Sequence, residues 1–247
     1  PTLTFNATNW NVAQTVTVAA TQDPDVEGSP HTGTITFVNS STDPLYNAAG
    51  MKPADIAVNI TDDDMASVTV TPPNGATAEG APAQMCVVLG ARPTADVTVT
   101  PTADAQSTLT PAAVTFTSGN WDVPQCVTVT PNQDAVVEGD HTTSISFSLG
   151  SAATEWGAGS AATPSAVSLA ITDDDIAGVK VTQTGGDTKV TEGGPAPDEI
   201  SVELTAQPTG DVTIALGGSN QLKLEPASLT FNATTWNVPQ KVAVSAI

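Results

Sequence analysis

Three adjacent carboxylates stand at Asp62-Asp63-Asp64 and again at Asp173-Asp174-Asp175, each triplet preceded by a threonine, and the two copies lie 111 residues apart. Carboxylates packed this closely repel one another. A chain that places them twice at a fixed interval is suited to a hard cation. Ca²⁺ takes six to eight oxygens at about 2.3–2.6 Å and tolerates flexible loops, whereas Mg²⁺ demands a stricter octahedron. The competing reading is a solubilising acidic surface.

The elements that must position these acids repeat with them. Each triplet follows an alternating apolar run, Ile56-Ala57-Val58-Asn59-Ile60 and Val167-Ser168-Leu169-Ala170-Ile171. Asn9-Trp10 returns as Asn120-Trp121, and Thr235-Trp236 stands at a third place, with tryptophan spacings of 111 and 115 residues. Residues Leu3–Val12 reappear almost unchanged as Leu229–Val238. The chain is therefore an internal repeat. Its expected divisions are 1–64, the C-terminal half of one module; 65–175, a complete module; and 176–247, the N-terminal half of another. This register reads as an excerpt of a longer tandem array, so signal peptides and anchors are not informative here.

Composition points to an all-β fold. Short runs of period two are bounded by Pro, Gly, Asn and Asp, the pattern of a sandwich or barrel. A repeat of this length suits one immunoglobulin-like sandwich with its own core. Six basic residues against 26 acidic ones give a net charge of −20. That balance argues against nucleic acid and against anionic membrane surfaces. No apolar run reaches the length of a membrane span.

Seven strands are predicted in the complete module, over 67–71, 84–89, 96–100, 108–117, 125–130, 143–149 and 166–171. Strands that run alternately up and down sort their loops between two poles. One pole collects the loops after the first, third and fifth strands, together with the end of the seventh. Glu79, Asp104, Asp134, Glu138, Asp140 and Asp173–Asp175 all fall there, leaving Asp96, Asp122 and Glu155 elsewhere. The only basic residue of the module is Arg92. Such sorting favours a cation site over random solvation.

The succession "PTADVTV", "AVTFTSGNW", "VPQCVTV", "QDAVVEGDHT" and "ITDDD" resembles Calx-β-type repeats, in particular the tandem versions of large bacterial surface and adhesin-like proteins. The resemblance covers the chain in a circularly cut register. It implies tandem seven-stranded Greek-key β-sandwiches that bind Ca²⁺ at one pole. Carried over by position, the implied ligands are Glu79, Asp104, Asp134, Glu138, Asp140, Asp173, Asp174 and Asp175 in the complete module. They are Asp23, Asp25, Glu27, Asp62, Asp63 and Asp64 in the first segment, and Glu192 in the third. Ser219 replaces Asp104 in the third segment, which makes Asp104 the weakest of the set.

Other signals are slighter. His31 and His141 occupy matching positions beside the acidic loop, where a structural or exposed role is expected. Trp10, Trp121 and Trp236 read as plugs closing the end of a core. Asn6, Asn39, Asn59 and Asn232 open glycosylation-type triplets that are common by chance in a Thr-rich chain. No nucleophile elbow or phosphate-binding glycine loop is present. Cys86 and Cys126 align with polar residues in the other repeats, so both should face outward. They belong to the second and fifth strands, neighbours in this topology, and a disulfide between them is expected in an oxidising compartment.

These readings favour a non-enzymatic, Ca²⁺-stiffened spacer or adhesin stalk of a secreted or cell-surface bacterial protein. Its partners would be adjacent modules of the same or a neighbouring chain, with no membrane insertion in this segment. Where modules meet, Trp121 and Glu155 are expected to face the preceding acidic pole. One alternative is an extracellular filament or sheath whose half-modules are completed by neighbours. Another is a carbohydrate-binding module using Tyr46 or Trp156.

Overall fold

The computed structural model describes residues 1–47, 50–194 and 196–247. Between residues 65 and 175 it forms two facing sheets, antiparallel except where β4 meets β11. The first contains β3 (Val68–Thr71), β5 (Ala83–Leu89), β9 (Gln125–Pro131) and β7 (Ser107–Thr110), in the order β3-β5-β9-β7. The second contains β4 (Thr77–Ala78), β11 (Val167–Thr172), β10 (His141–Ser151), β6 (Val97–Ala103) and β8 (Val114–Phe116), in the order β4-β11-β10-β6-β8. This is an immunoglobulin-like Greek-key sandwich.

Alternation builds the core. In β5, Met85, Val87 and Leu89 point inward while Gln84 and Cys86 point out. Val127 and Val129 of β9, Val97 and Val99 of β6, Ile145 and Leu149 of β10, and Leu169 of β11 complete the interior with Phe116. Each such side chain contributes about 1.5–3 kcal/mol on full burial. Trp121 packs half-buried against this core, and its carbonyl accepts the Leu89 N–H at 3.1 Å, which fits the plug reading.

One expected strand divides. The fourth, predicted over 108–117, is β7 in one sheet and β8 in the other, with Pro111 between them. Proline has no N–H to donate to a ladder, so the chain changes sheets there. The same switch recurs at Pro226, between β15 (Leu222–Glu225) and β16 (Ser228–Phe231). The expected first strand, 67–71, is β3. Beyond Pro72-Pro73-Asn74-Gly75 a short further strand, β4, lies outside that expectation and pairs in parallel with β11.

The flanking segments carry parts of the same plan. In the first, β1 (His31–Ile35) pairs antiparallel with β2 (Ile56–Ile60). Trp10 there is exposed. In the third, β12 (Val179–Gln183), β13 (Asp198–Leu204), β17 (Gln240–Ala246) and β15 form one sheet, and β14 (Val212–Ala215) pairs with β16. Val202, Leu204, Leu229, Phe231 and Val242 form their core, with Trp236 against it. None of the helices among the described residues is long and apolar enough to cross a membrane.

Cys86 and Cys126 stand directly opposite one another on β5 and β9 and are joined by a disulfide. Both face away from the core, as their polar counterparts in the other repeats indicate. The bond closes a sequence separation of 40 residues. On the chain-entropy account such a closure contributes about 4 kcal/mol at most. Replacing both cysteines by serine should lower the melting temperature of the 65–175 segment without changing its far-ultraviolet circular dichroism. Alkylation of the untreated protein should label neither thiol.

Candidate metal centre

The four regions expected at one pole of the middle segment do meet. Glu79 follows β4, and its N–H donates to the carbonyl of Thr172 at the end of β11 (3.2 Å). The next residue, Gly80, donates to Pro131 at the end of β9 (3.1 Å) and has φ +68°. Asn132 joins the β9–β10 loop to the β6–β7 turn through Gln106 (2.9 Å) and Ala105 (2.6 Å).

The acids at this pole divide into two classes. Asp173 and Asp104 are occupied by hydrogen bonds. Asp173 Oδ1 accepts the N–H of Asp175 (2.9 Å), and Oδ2 accepts those of Glu138 (2.7 Å) and Gly139 (2.6 Å). The Asp175, Gly139 and Glu138 amides hold its pKa below the usual carboxylate value. Asp104 accepts the Ser144 N–H (2.8 Å), the Thr143 hydroxyl (2.8 Å) and the Gln106 N–H (3.1 Å), and its pKa is likewise lowered, chiefly by Ser144. These two carboxylates position loops.

The second class is under-satisfied. Glu79 is 5% exposed, and its hydrogen bond is a long one, from the Asp134 N–H at 3.4 Å. Burial raises its pKa, and the charges of Asp134, Asp173 and Asp175 raise it further. Asp175 Oδ2 is buried with no hydrogen-bond partner among the described residues. Its pKa is raised by burial and by Asp173, Asp174 and Asp134. Ligand oxygens of Glu79, Asp174 and Asp175 lie within 4.8 Å of one another. So do donor atoms of Glu79, Glu138 and His141. His141, for which a structural or exposed role is expected over a metal one, joins this group. Its match with His31 beside the same loop was the available signal.

The remaining expected residues are placed as follows. Asp134 Oδ1 accepts the Val136 N–H (2.7 Å), Asp174 Oδ1 accepts from Gln133 Nε2 (3.2 Å), and Asp140 is exposed. In the first segment Asp62, Asp63 and Asp64 present oxygens within 4.8 Å of one another. Asp62 repeats the role of Asp173, accepting the Asp64 N–H (2.9 Å) and the Glu27 N–H (2.6 Å), and its pKa is lowered by the Asp64 and Glu27 amides. Asp64 is the counterpart of Asp175, its pKa raised by burial and then by Asp62, Asp63, Asp23 and Asp25. Asp23 caps the Asp25 N–H (3.0 Å), and Glu27 pairs with His31 at 3.0 Å. Asp25 turns instead to Arg92, whose guanidinium holds its pKa low. Glu192 is exposed in a turn whose glycine, Gly193, has the same left-handed φ as Gly80.

Two expectations are corrected. Trp156 is 0% exposed and belongs to the core, so it offers no stacking face to a sugar; its counterpart Tyr46 is exposed. Across the first junction the contact with the preceding acidic loop is made by Arg92, while Trp121 packs on its own core.

No protein-family model matches the sequence, and no curated protein does. Among solved structures, the chain is similar to the CBD12 region of CALX1.2 at 18% identity, with 70% of this chain and 72% of that one covered and a TM-score of 0.31. It is similar to the chaperone–tip adhesion subunit complex of Csu pili of Acinetobacter baumannii at 7% identity, covering 72% and 87%, with a TM-score of 0.30. A third similarity, to domains 5–6 of the S-layer protein SbsC, has 15% identity, coverage of 72% and 81%, and a TM-score of 0.22. None reaches a TM-score of 0.5, so the architecture rests on the strand pairing described above.

The two classes of carboxylate give opposite pH dependences. Asp173 and Asp104, with depressed values, add stability above the ordinary carboxylate pKa of about 4 that is lost as pH falls through their folded values. Glu79 and Asp175, with raised values, are ionised at a cost at neutral pH, and that cost is relieved as pH falls through their folded values. In chelator at neutral pH, Glu79→Gln should therefore raise the melting temperature, whereas Asp104→Asn should lower it. Calorimetry of the two variants checks both signs.

Proposed function

We propose that this chain is a Ca²⁺-binding, non-enzymatic tandem-repeat segment of an extracytoplasmic protein, divided at 1–64, 65–175 and 176–247, in which the cation stiffens a spacer. The observation that carries this reading is the buried, unpartnered Oδ2 of Asp175 beside the nearly enclosed carboxylate of Glu79. Unpaired buried charge is costly, and a divalent cation removes that cost. An all-oxygen set on loops suits Ca²⁺ rather than a thiolate-seeking or strictly octahedral metal.

Glu79, Asp174 and Asp175 would form the centre of the site, with Asp134 and Glu138 at its rim. Asp173 and Asp104 would hold the loops in place. Asp63 and Asp64 would play the corresponding part in the first segment, assisted by Asp23 and Glu27. The Calx-β-type resemblance of the sequence supports this arrangement, and the disulfide supports an oxidising location.

Thermal melting and small-angle scattering of the chain, in Ca²⁺ and in chelator, test the reading. Binding to the folded state alone should stabilise it by about 2.7 kcal/mol at a hundredfold excess over Kd. The maximum dimension should become better defined, and Mg²⁺ should substitute poorly. Glu79→Gln together with Asp175→Asn should abolish the Ca²⁺-dependent rise in the 65–175 transition. A melting curve indifferent to Ca²⁺ would sink the proposal.

A further inference from the structure

The two junctions between segments are built on one plan with different parts. At the first, the loop 23–27 lies alongside the turn between β5 and β6. Asp25 and Arg92 form an isolated parallel bridge. Arg92 N–H donates to the Pro24 carbonyl at 2.8 Å, and Val26 N–H donates to the Arg92 carbonyl at 3.4 Å. The Arg92 guanidinium grips Asp25 with two hydrogen bonds, one to Oδ1 and one from Nη2 to Oδ2 at 2.6 Å. Val26, although it belongs to the first segment, is 7% exposed and joins the core cluster of the middle one.

At the second junction, Val136 and Gln207 form the equivalent parallel bridge. Gln207 N–H donates to the Ala135 carbonyl at 2.6 Å, matching the Arg92–Pro24 bond. The side chains then diverge. Valine replaces Asp25 and glutamine replaces Arg92, so no ion pair can form between these positions. Gln207 Nε2 turns back to the Ala233 carbonyl of its own segment (3.1 Å).

We propose that this loop-to-turn contact is a keyed joint, locked before the middle segment by Asp25, Arg92 and Val26 and left compliant after it by Val136 and Gln207. The main-chain bridge sets the register at both junctions. The paired side chains decide how firmly it holds and which segment fits behind which. A bidentate arginine–carboxylate pair adds geometric specificity that glutamine facing valine lacks. Acid and base change together between the two joints, so a segment presenting arginine at this turn suits a preceding segment with aspartate in its loop. The joint needs no ion. It depends on the tandem reading but not on Ca²⁺, and testing it in chelator separates its failure from that of the metal site.

Spin labels at equivalent exposed strand positions report each joint in the full chain: Thr32→Cys with Thr115→Cys across the first, and Thr142→Cys with Thr230→Cys across the second. Pulsed electron-resonance distance distributions, recorded in chelator, should show one narrow population across the first joint and a broader one across the second. Exchanging the key, with Asp25→Val and Arg92→Gln, should broaden the first distribution. The reverse exchange, Val136→Asp with Gln207→Arg, should narrow the second, and it stays informative even where the first exchange impairs folding. Equal widths in the parent protein, or a second distribution that the reverse exchange leaves unmoved, would overturn the proposal.

Discussion

A set of like charges can be held at one end of a sandwich only if some of them are spent on the backbone. Asp173 is spent in this way. Its two oxygens take amides from the β9–β10 loop and from its own turn, so the strand that delivers the triplet also fixes the loop that faces it. Amide donors around a carboxylate stabilise its charge without supplying a counter-ion. Asp62 does the same in the first segment, and Asp104 does it between β10 and the β6–β7 turn. Once these groups are fixed, Glu79 and Asp175 are left facing one another with too few donors. The electrostatic tension of the site follows from that allocation.

The sandwich supplies the rigid frame that tension requires. The core side chains of β5, β9, β6 and β10 alternate without interruption up to the pole, and Thr143 is buried at its edge, its hydroxyl bonded to Ser107 and Asp104. The parallel pairing of β4 with β11 places Glu79 beside the end of the triplet strand. Glu192 is the counterpart of Glu79 in the third segment. It sits in the same kind of turn, and its carboxylate is exposed.

Much of this was legible in the sequence. The period of the triplets located the repeat, and alternation located seven strands whose ends moved by a residue or two in most cases. The division of the fourth strand was missed, although Pro111 and Pro226 announced it, because an apolar alternation on both sides of a proline reads as one strand. The class of each carboxylate was not legible. Asp173 and Asp175 are identical in type and two residues apart, and only the path of the facing loop decides which one receives amides. The burial of Trp156 is illegible for a related reason: whether an aromatic residue in a connecting segment is covered depends on how that segment folds back. Arg92 stood out as the lone base of its repeat, but its partner lay 67 residues away in another segment.

The disulfide has a consequence for the chain under tension. A spacer pulled from both ends yields by releasing folded residues into extended chain, which lengthens the molecule and lets the force relax. Cys86 and Cys126 are separated by 40 residues, and the bond between them bypasses all of that length. At about 3.3–3.6 Å per residue, about 130–145 Å of slack is withheld from the pull. When the middle segment unfolds it therefore yields less length than it would without the bridge, and only its residues outside 86–126 can extend.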